Sequence, residues 1–248
     1  MRKCICGAFL AAFVLVVAGP ARAEEGDAKA VIEKAIKALG GEEKLTKALK
    51  GCTWKTKGTF SLMGNDNEFT GVGNLQGADH LRTESESSFG KFTLVVAGDK
   101  GWLNFGGNVM DLEGDGLANE KFNAFLDAST ALPVLLREKG VKMEGIAEEK
   151  VGGKAAAGIK VTTPSGKDFR LYFDKESGLP VKRVAKVTRF GPEEYTEDAY
   201  FTNYKEFDGI KRSTKTQQKR DGEKFIEAET TEFKVVDKID AKTFTKPE

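Results

Sequence analysis

The thirteen residues YFDKESGLPVKRV, Tyr172 to Val184, decide how the chain is read. Just before and into them, Phe169, Leu171 and Phe173 alternate with Arg170, Tyr172 and Asp174. A period of two sets three large apolar groups on one face of a strand. Asp174 to Gly178 then supplies turn chemistry. Asp174 and Ser177 offer side-chain oxygens to nearby backbone, and Gly178 tolerates positive φ because it has no Cβ. Pro180 has no N–H to donate and suits the start of the returning strand. The stretch is a β-hairpin.

Working outward, the same grammar recurs. From Cys52 onward, Trp54, Gly58, Phe60 and Leu62 share one face, with Lys55, Lys57, Thr59 and Ser61 on the other. Further strands are predicted over Phe69–Gln76, Leu81–Phe89, Lys91–Ala97 and Trp102–Phe105. They resume near Val141 and continue through Ile159 and Val161, the Phe169 set, Val181–Phe190, Tyr200–Phe207, Ile210–Gln218 and Phe225–Val236. Asp208-Gly209 and Asp221-Gly222 are short-hairpin signals. Helical spacing occurs in only two places. Val31, Ile32, Ala35, Ile36 and Leu39 predict a helix capped by Asp27, followed by a second over Glu42–Leu49. Between Leu117 and Lys139, Phe122, Phe125, Leu126, Leu132, Leu135 and Leu136 predict two short helices, with Pro133 near the start of the second.

Strands joined by tight turns are antiparallel neighbours. About eleven in succession form a meander that twists and curls. The chain is therefore expected to be mainly β (α+β). Its architecture is a strongly curved antiparallel sheet, a half-barrel of about eleven strands with helices in the concave side. A closed barrel is the competing geometry, and the helical insertion between Trp102 and Val141 favours the open sheet.

The N-terminal residues carry a different signal. Arg2 and Lys3 precede an apolar run from Cys4 to Gly19, and Ala21-Arg22-Ala23 matches a small-x-small cleavage site. Residues 1–23 read as a signal peptide and 24–248 as one domain, so the chain is expected to be exported, periplasmic or secreted. The run is short for a membrane span of about 20 residues. Of three cysteines only Cys52 lies beyond the cleavage site, which excludes an internal disulfide in the mature chain. With 39 basic and 38 acidic residues in the whole chain, no excess of charge points to nucleic acid.

Several stretches together resemble the LolA/LolB-like superfamily of lipoprotein-sorting and lipoprotein-carrier proteins. They are AIKALGGEEKLTKALKGCTWKTKGTF, LVVAGDKGWLNFGG, LYFDKESGLPVKR, NYKEFDGIKRSTK and IDAKTFTKPE. In order, they cover most of the chain after the signal segment. The resemblance implies a half-barrel with a helical lid over an apolar cavity that receives acyl chains. Where the carriers place Arg followed by Pro early in a strand, this chain has Gly77-Ala78, with Arg82 a few residues on.

Three function classes follow. The first is a non-enzymatic envelope protein that binds lipid or lipoprotein acyl chains and carries them. Its candidate ligand-binding residues are Trp54, Phe60, Phe92, Trp102, Phe122, Phe125, Leu126 and Leu135. Ordinary core packing is the competing explanation for each. The chain is rich in Phe, 17 of its 23 aromatic residues, and that suits either role because Phe makes no hydrogen-bonding demand. The second class is an envelope protein-binding or sensory module on the same fold. The third is an enzyme. His80 is the single histidine, Ser85, Ser87 and Ser88 lie in no Gly-x-Ser-x-Gly elbow, and DLEGDG, with Asp111, Glu113 and Asp115, lacks a full calcium-loop pattern. No cofactor or metal is expected, the partner is a lipid or an envelope protein, and the chain is expected to be a monomer that does not span the membrane. The basic run KRSTKTQQKR places Lys211, Ser213, Lys215, Gln217 and Lys219 on one exposed strand face.

Overall fold

The computed structural model describes residues 25–62, 64–189 and 192–246. The expected signal segment lies outside them. The hairpin at Tyr172–Val184 forms as its residues dictate. The Ser177 N–H and hydroxyl donate to Asp174 Oδ1 at 2.6 and 2.7 Å, and Gly178 sits at φ 76°. It joins strand β9 (Asp168–Asp174) to β10 (Pro180–Thr188). Phe169, Leu171 and Phe173 are fully buried on the inner face. Asp208 and Asp221 adopt positive φ at 49° in the two short hairpins, as the Asp-Gly pairs require.

Among the described residues, thirteen strands form one antiparallel sheet that does not close into a barrel. The expected count was about eleven; β6 (Asn108–Asp111), only four residues long, carried no readable pattern of its own. The order also differs from a single meander. Strands β1 (Cys52–Leu62), β2 (Asn65–Gln76), β3 (His80–Ser87), β4 (Gly90–Ala97), β5 (Lys100–Phe105) and β6 run out to one edge. The chain then crosses to the opposite edge. It returns through β7 (Lys142–Val151), β8 (Lys154–Thr162), β9, β10, β11 (Glu194–Phe207), β12 (Ile210–Arg220) and β13 (Glu223–Val235). Strand β13 pairs with β1 at the centre, Trp54 opposite Phe233. The sheet is open between β6 and β7, where the helical insertion makes the crossing.

That insertion is one 18-residue helix, α3 (Gly114–Ala131), followed by a five-residue 3-10 turn, Pro133–Arg137. Two short helices were expected. The run from Leu117 to Ala131 contains no glycine or proline to stop a helix, and the break comes at Leu132, whose φ of −130° and ψ of 75° leave the helical region just before Pro133. The N-terminal helix α1 (Glu25–Leu39) is under way by Glu25, so Asp27 is not its cap. Asp27 lies exposed in the first turn, where a carboxylate favours the helix dipole. Helix α2 (Glu42–Lys50) follows. No helix among the described residues is long and apolar enough to cross a membrane.

The core is lopsided. Ile32, Ile36 and Leu39 of α1, Phe122 and Leu126 of α3, and Leu132, Leu135 and Leu136 fill the concave side together with Ile159, Val161, Phe169 and Leu171 from β8 and β9. On the β2–β6 wing the inner face is less covered, and Phe105 and Met110 are 48% and 53% exposed. A small second cluster lies on the outer face. There Ile239 and Phe244, from the C-terminal segment, pack on Val95, Ala97 and Trp102.

Candidate functional site

Alternation along β1 sets Cys52, Trp54, Thr56 and Phe60 on the concave face. Their register partners Leu75, Gly73, Gly71 and Asn67 on β2 face the same way. The indole of Trp54 lies against Gly73, where an added Cβ would sit 2.0 Å from the ring. Glycine is therefore the residue that lets the indole lie flat on the sheet. Between these strands and α3 the helices leave space unfilled. One cavity, of about 280 Å³, is bordered by Trp54, Leu75, Leu81, Ala128, Leu132 and Arg212, among others. A second, of about 210 Å³, is bordered by Trp54, Phe69, Leu81, Phe92, Leu94 and Ala124, among others. Trp54, Thr56, Leu81, Thr83, Ala124 and Asp127 border both, so the two adjoin. Beyond Phe69 the apolar lining continues to the rim, where Phe60 meets Phe69 and Phe89 with ring centroids 6.3 and 5.9 Å apart. Phe89 is 52% exposed. The outer face carries a wider depression of about 970 Å³, bordered mostly by polar and charged residues, with Lys57 paired to Glu229 and Gln217 to Glu227.

A buried ionic network joins α3 to the hollow. Arg183 and Glu197, on β10 and β11, are each 2% exposed and meet at 2.5 Å, Nη2 to Oε1. Arg183 Nη1 also reaches Asp127 Oδ1 at 2.8 Å, and Arg189 grips the same carboxylate through both terminal nitrogens at 2.9 and 3.1 Å. Asp127 lies deep among protein atoms yet borders both cavities and keeps 43% of its side chain accessible. Burial pushes its carboxyl up, but Arg189 and Arg183 together outweigh that and hold it below the usual carboxylate range. Nearby Glu120 has no such partner at close range; burial raises its carboxyl, with only the Asn123 amide donating to it at 3.3 Å. Burial also lifts the Cys52 thiol to about 11.

No family model matches the chain, and no curated protein does. Solved structures do. A LolA superfamily protein from Nitrosomonas europaea matches with a TM-score of 0.58 at 11% identity, over 88% of this chain and 97% of that one. A DUF1329 family protein from Desulfovibrio piger matches at 0.56 and 13%, again over 88% and 97%. A putative outer membrane lipoprotein-sorting protein domain from Vibrio parahaemolyticus matches at 0.51 and 13%, over 86% and 97%. The fold is LolA-like.

In this LolA-like half-barrel the sequence-predicted residues separate. Trp54 and Phe92 border the hollow, and Phe60 stands at its rim. Phe122, Phe125, Leu126 and Leu135 pack into the helix-filled wing, with Phe122 and Phe125 each edge-on to Phe169. Trp102 is a correction. Paired with Val95, it faces outward and is covered by the C-terminal segment. Strand β5 is short and follows a turn, so period-two counting alone did not fix which face was inner without its partner Val95. Arg82 is also on the outer face, bonded to Glu84 and the Thr243 carbonyl. His80 pairs with Asp79 at 2.7 Å and meets the Phe244 ring edge, also outside the hollow. In the basic run, Lys215 and Gln217 do border the outer depression.

Sequence reasoning missed Arg183, Arg189, Asp127, Glu197 and Arg212. A signal was present for two of them. Arg183 falls in phase with Ala185 and Val187, an apolar face, and Arg212 falls on the face opposite the lysines of KRSTKTQQKR.

Proposed function

We propose that this chain is an exported, non-enzymatic binder of lipid or lipoprotein acyl chains, serving as a carrier in the cell envelope after loss of residues 1–23. The observation that carries the reading is the unfilled apolar hollow between Trp54 and Phe92, continuous with the exposed Phe89 at the rim. Each buried CH₂ of a guest contributes about 0.8 kcal/mol, so a chain of about fourteen carbons gains roughly 10 kcal/mol before ordering costs. The two cavities together reach the lower part of the roughly 300–1,000 Å³ range of ligand pockets. The LolA-like fold adds support, since a relative of that fold bears the name of a lipoprotein-sorting domain.

The test is mass spectrometry of gently purified protein for bound lipid, with displacement of a fluorescent fatty acid. Trp54→Ala and Phe92→Ala are expected to weaken probe binding more than they lower stability. Absence of both lipid and probe binding refutes the reading and favours a protein-binding module on the same fold.

A further inference from the structure

The fold treats the arginines on the concave side of the sheet differently. Arg183 and Arg189 are met by Asp127 and Glu197. Arg212 meets no carboxylate among the described residues. Its guanidinium stacks on the Phe233 ring at 4.4 Å and faces Trp54 at 5.9 Å. Stacking satisfies the faces of the group, and among the described residues no protein acceptor meets its in-plane N–H donors. The Tyr204 hydroxyl, on a residue lining the same cavity, already donates to the Pro180 carbonyl at 2.6 Å. Burial pulls the Arg212 guanidinium below its ordinary range, as expected of a cation short of a counter-charge.

Arg212 borders the larger cavity beside Lys211 and Arg183, and the sole carboxylate in that lining is Asp127, already engaged by two arginines. Glu197 stands behind Arg183 and not in the lining. The wall is therefore apolar over most of its length and cationic at the Arg212 end.

We infer that the guest is an amphiphile with an anionic head, a carboxylate or phosphate, held by the Arg212 guanidinium while its single acyl chain lies along Trp54 and Leu81 toward Phe69 and Phe92. This rests on the acyl-chain reading above and adds the head group to it. A planar guanidinium suits both anions, because its paired donors match two oxygens at once. An anion there supplies the acceptors that the protein withholds.

The experiment compares three probes of equal chain length on the full mature chain: tetradecanoate, tetradecyl phosphate and methyl tetradecanoate, each displacing a fluorescent fatty acid. A charge-assisted hydrogen bond is worth about ten- to a hundredfold in affinity. The expected result is that at least one anion binds tighter than the ester by that factor, and the better anion identifies the head. Arg212→Met is expected to erase the preference for the anions over the ester, and Arg212→Lys to restore part of it. If Arg212→Met does not fold, the wild-type comparison still decides. Equal affinity for ester and both anions overturns the inference but leaves the acyl-chain reading standing, as does a preference that survives Arg212→Met. Failure of all three probes to bind overturns both.

Discussion

Glu197→Gln is the sharpest perturbation the structure offers. The substitution keeps the side chain's shape and removes its charge. In the native fold Glu197 meets Arg183 at 2.5 Å, and both side chains are 2% exposed, so solvent screens neither. Removing one partner from such a pair strands the other and typically costs about 3–5 kcal/mol. Here Arg183 keeps Asp127 at 2.8 Å, which places the loss near the low end, about 3 kcal/mol. For a domain of this size that corresponds to a fall in Tm of about 6–12 °C. Urea unfolding followed by tryptophan emission reads it, because Trp54 reports the hollow and Trp102 the outer face. The decisive version is a double-mutant cycle with Arg183→Met. Loss of the second partner should cost far less once the first is gone, with a coupling above about 1 kcal/mol. Single losses below about 1 kcal/mol that add within about 0.5 kcal/mol would refute the claim that these charges act as one buried unit.

Gly73→Ala is expected to displace the Trp54 indole, since the new methyl falls within the ring's own space; a shift in tryptophan emission and weaker fatty-acid binding check it, and an unchanged spectrum argues against the close approach. Glu120→Gln is expected to stabilise the protein at neutral pH. Burial raises the folded-state value of Glu120 above its unfolded one, so the folded state binds more protons, and the native glutamate's stability falls as pH rises from about 4.3 through that raised value. The advantage of the glutamine should therefore shrink toward zero as pH drops to about 4 in paired denaturation curves. Cys52, buried and lifted to about 11, is expected to resist maleimide at pH 7 in the folded protein and to react on unfolding. Rapid labelling of the native chain would show that the hollow admits the reagent.

Much of the fold was legible because tight turns are local. Asp174, Ser177 and Gly178 specify their hairpin without help from distant residues, and the realised bonds follow the sequence. The pairing of β13 with β1 was not legible, since no turn connects strands so far apart in the chain. The same limit hid the site. Trp54 could be assigned to the inner face from the long alternation of β1, whereas Trp102 follows a turn in a six-residue strand and needed its partner Val95 to settle the side. Arg212 escaped because the lysines of its own run drew the reading to the outer face. Arg183 and Glu197 are fourteen residues apart, and only the packing of β10 on β11 makes them one group.

The pairing of the first strand with the last has a consequence for how the chain acquires its shape. A chain that emerges N-terminus first presents β1 early and β13 late, with eleven strands of chain between them still unjoined at the centre. Until the final segment emerges, the chain holds two separate wings, each with one greasy side and no means of aligning with the other. Assembly is thus timed by the arrival of β13, and a chain lacking that one closing strand is expected to yield two unconnected half-sheets prone to clumping, and not a slightly weakened version of the whole.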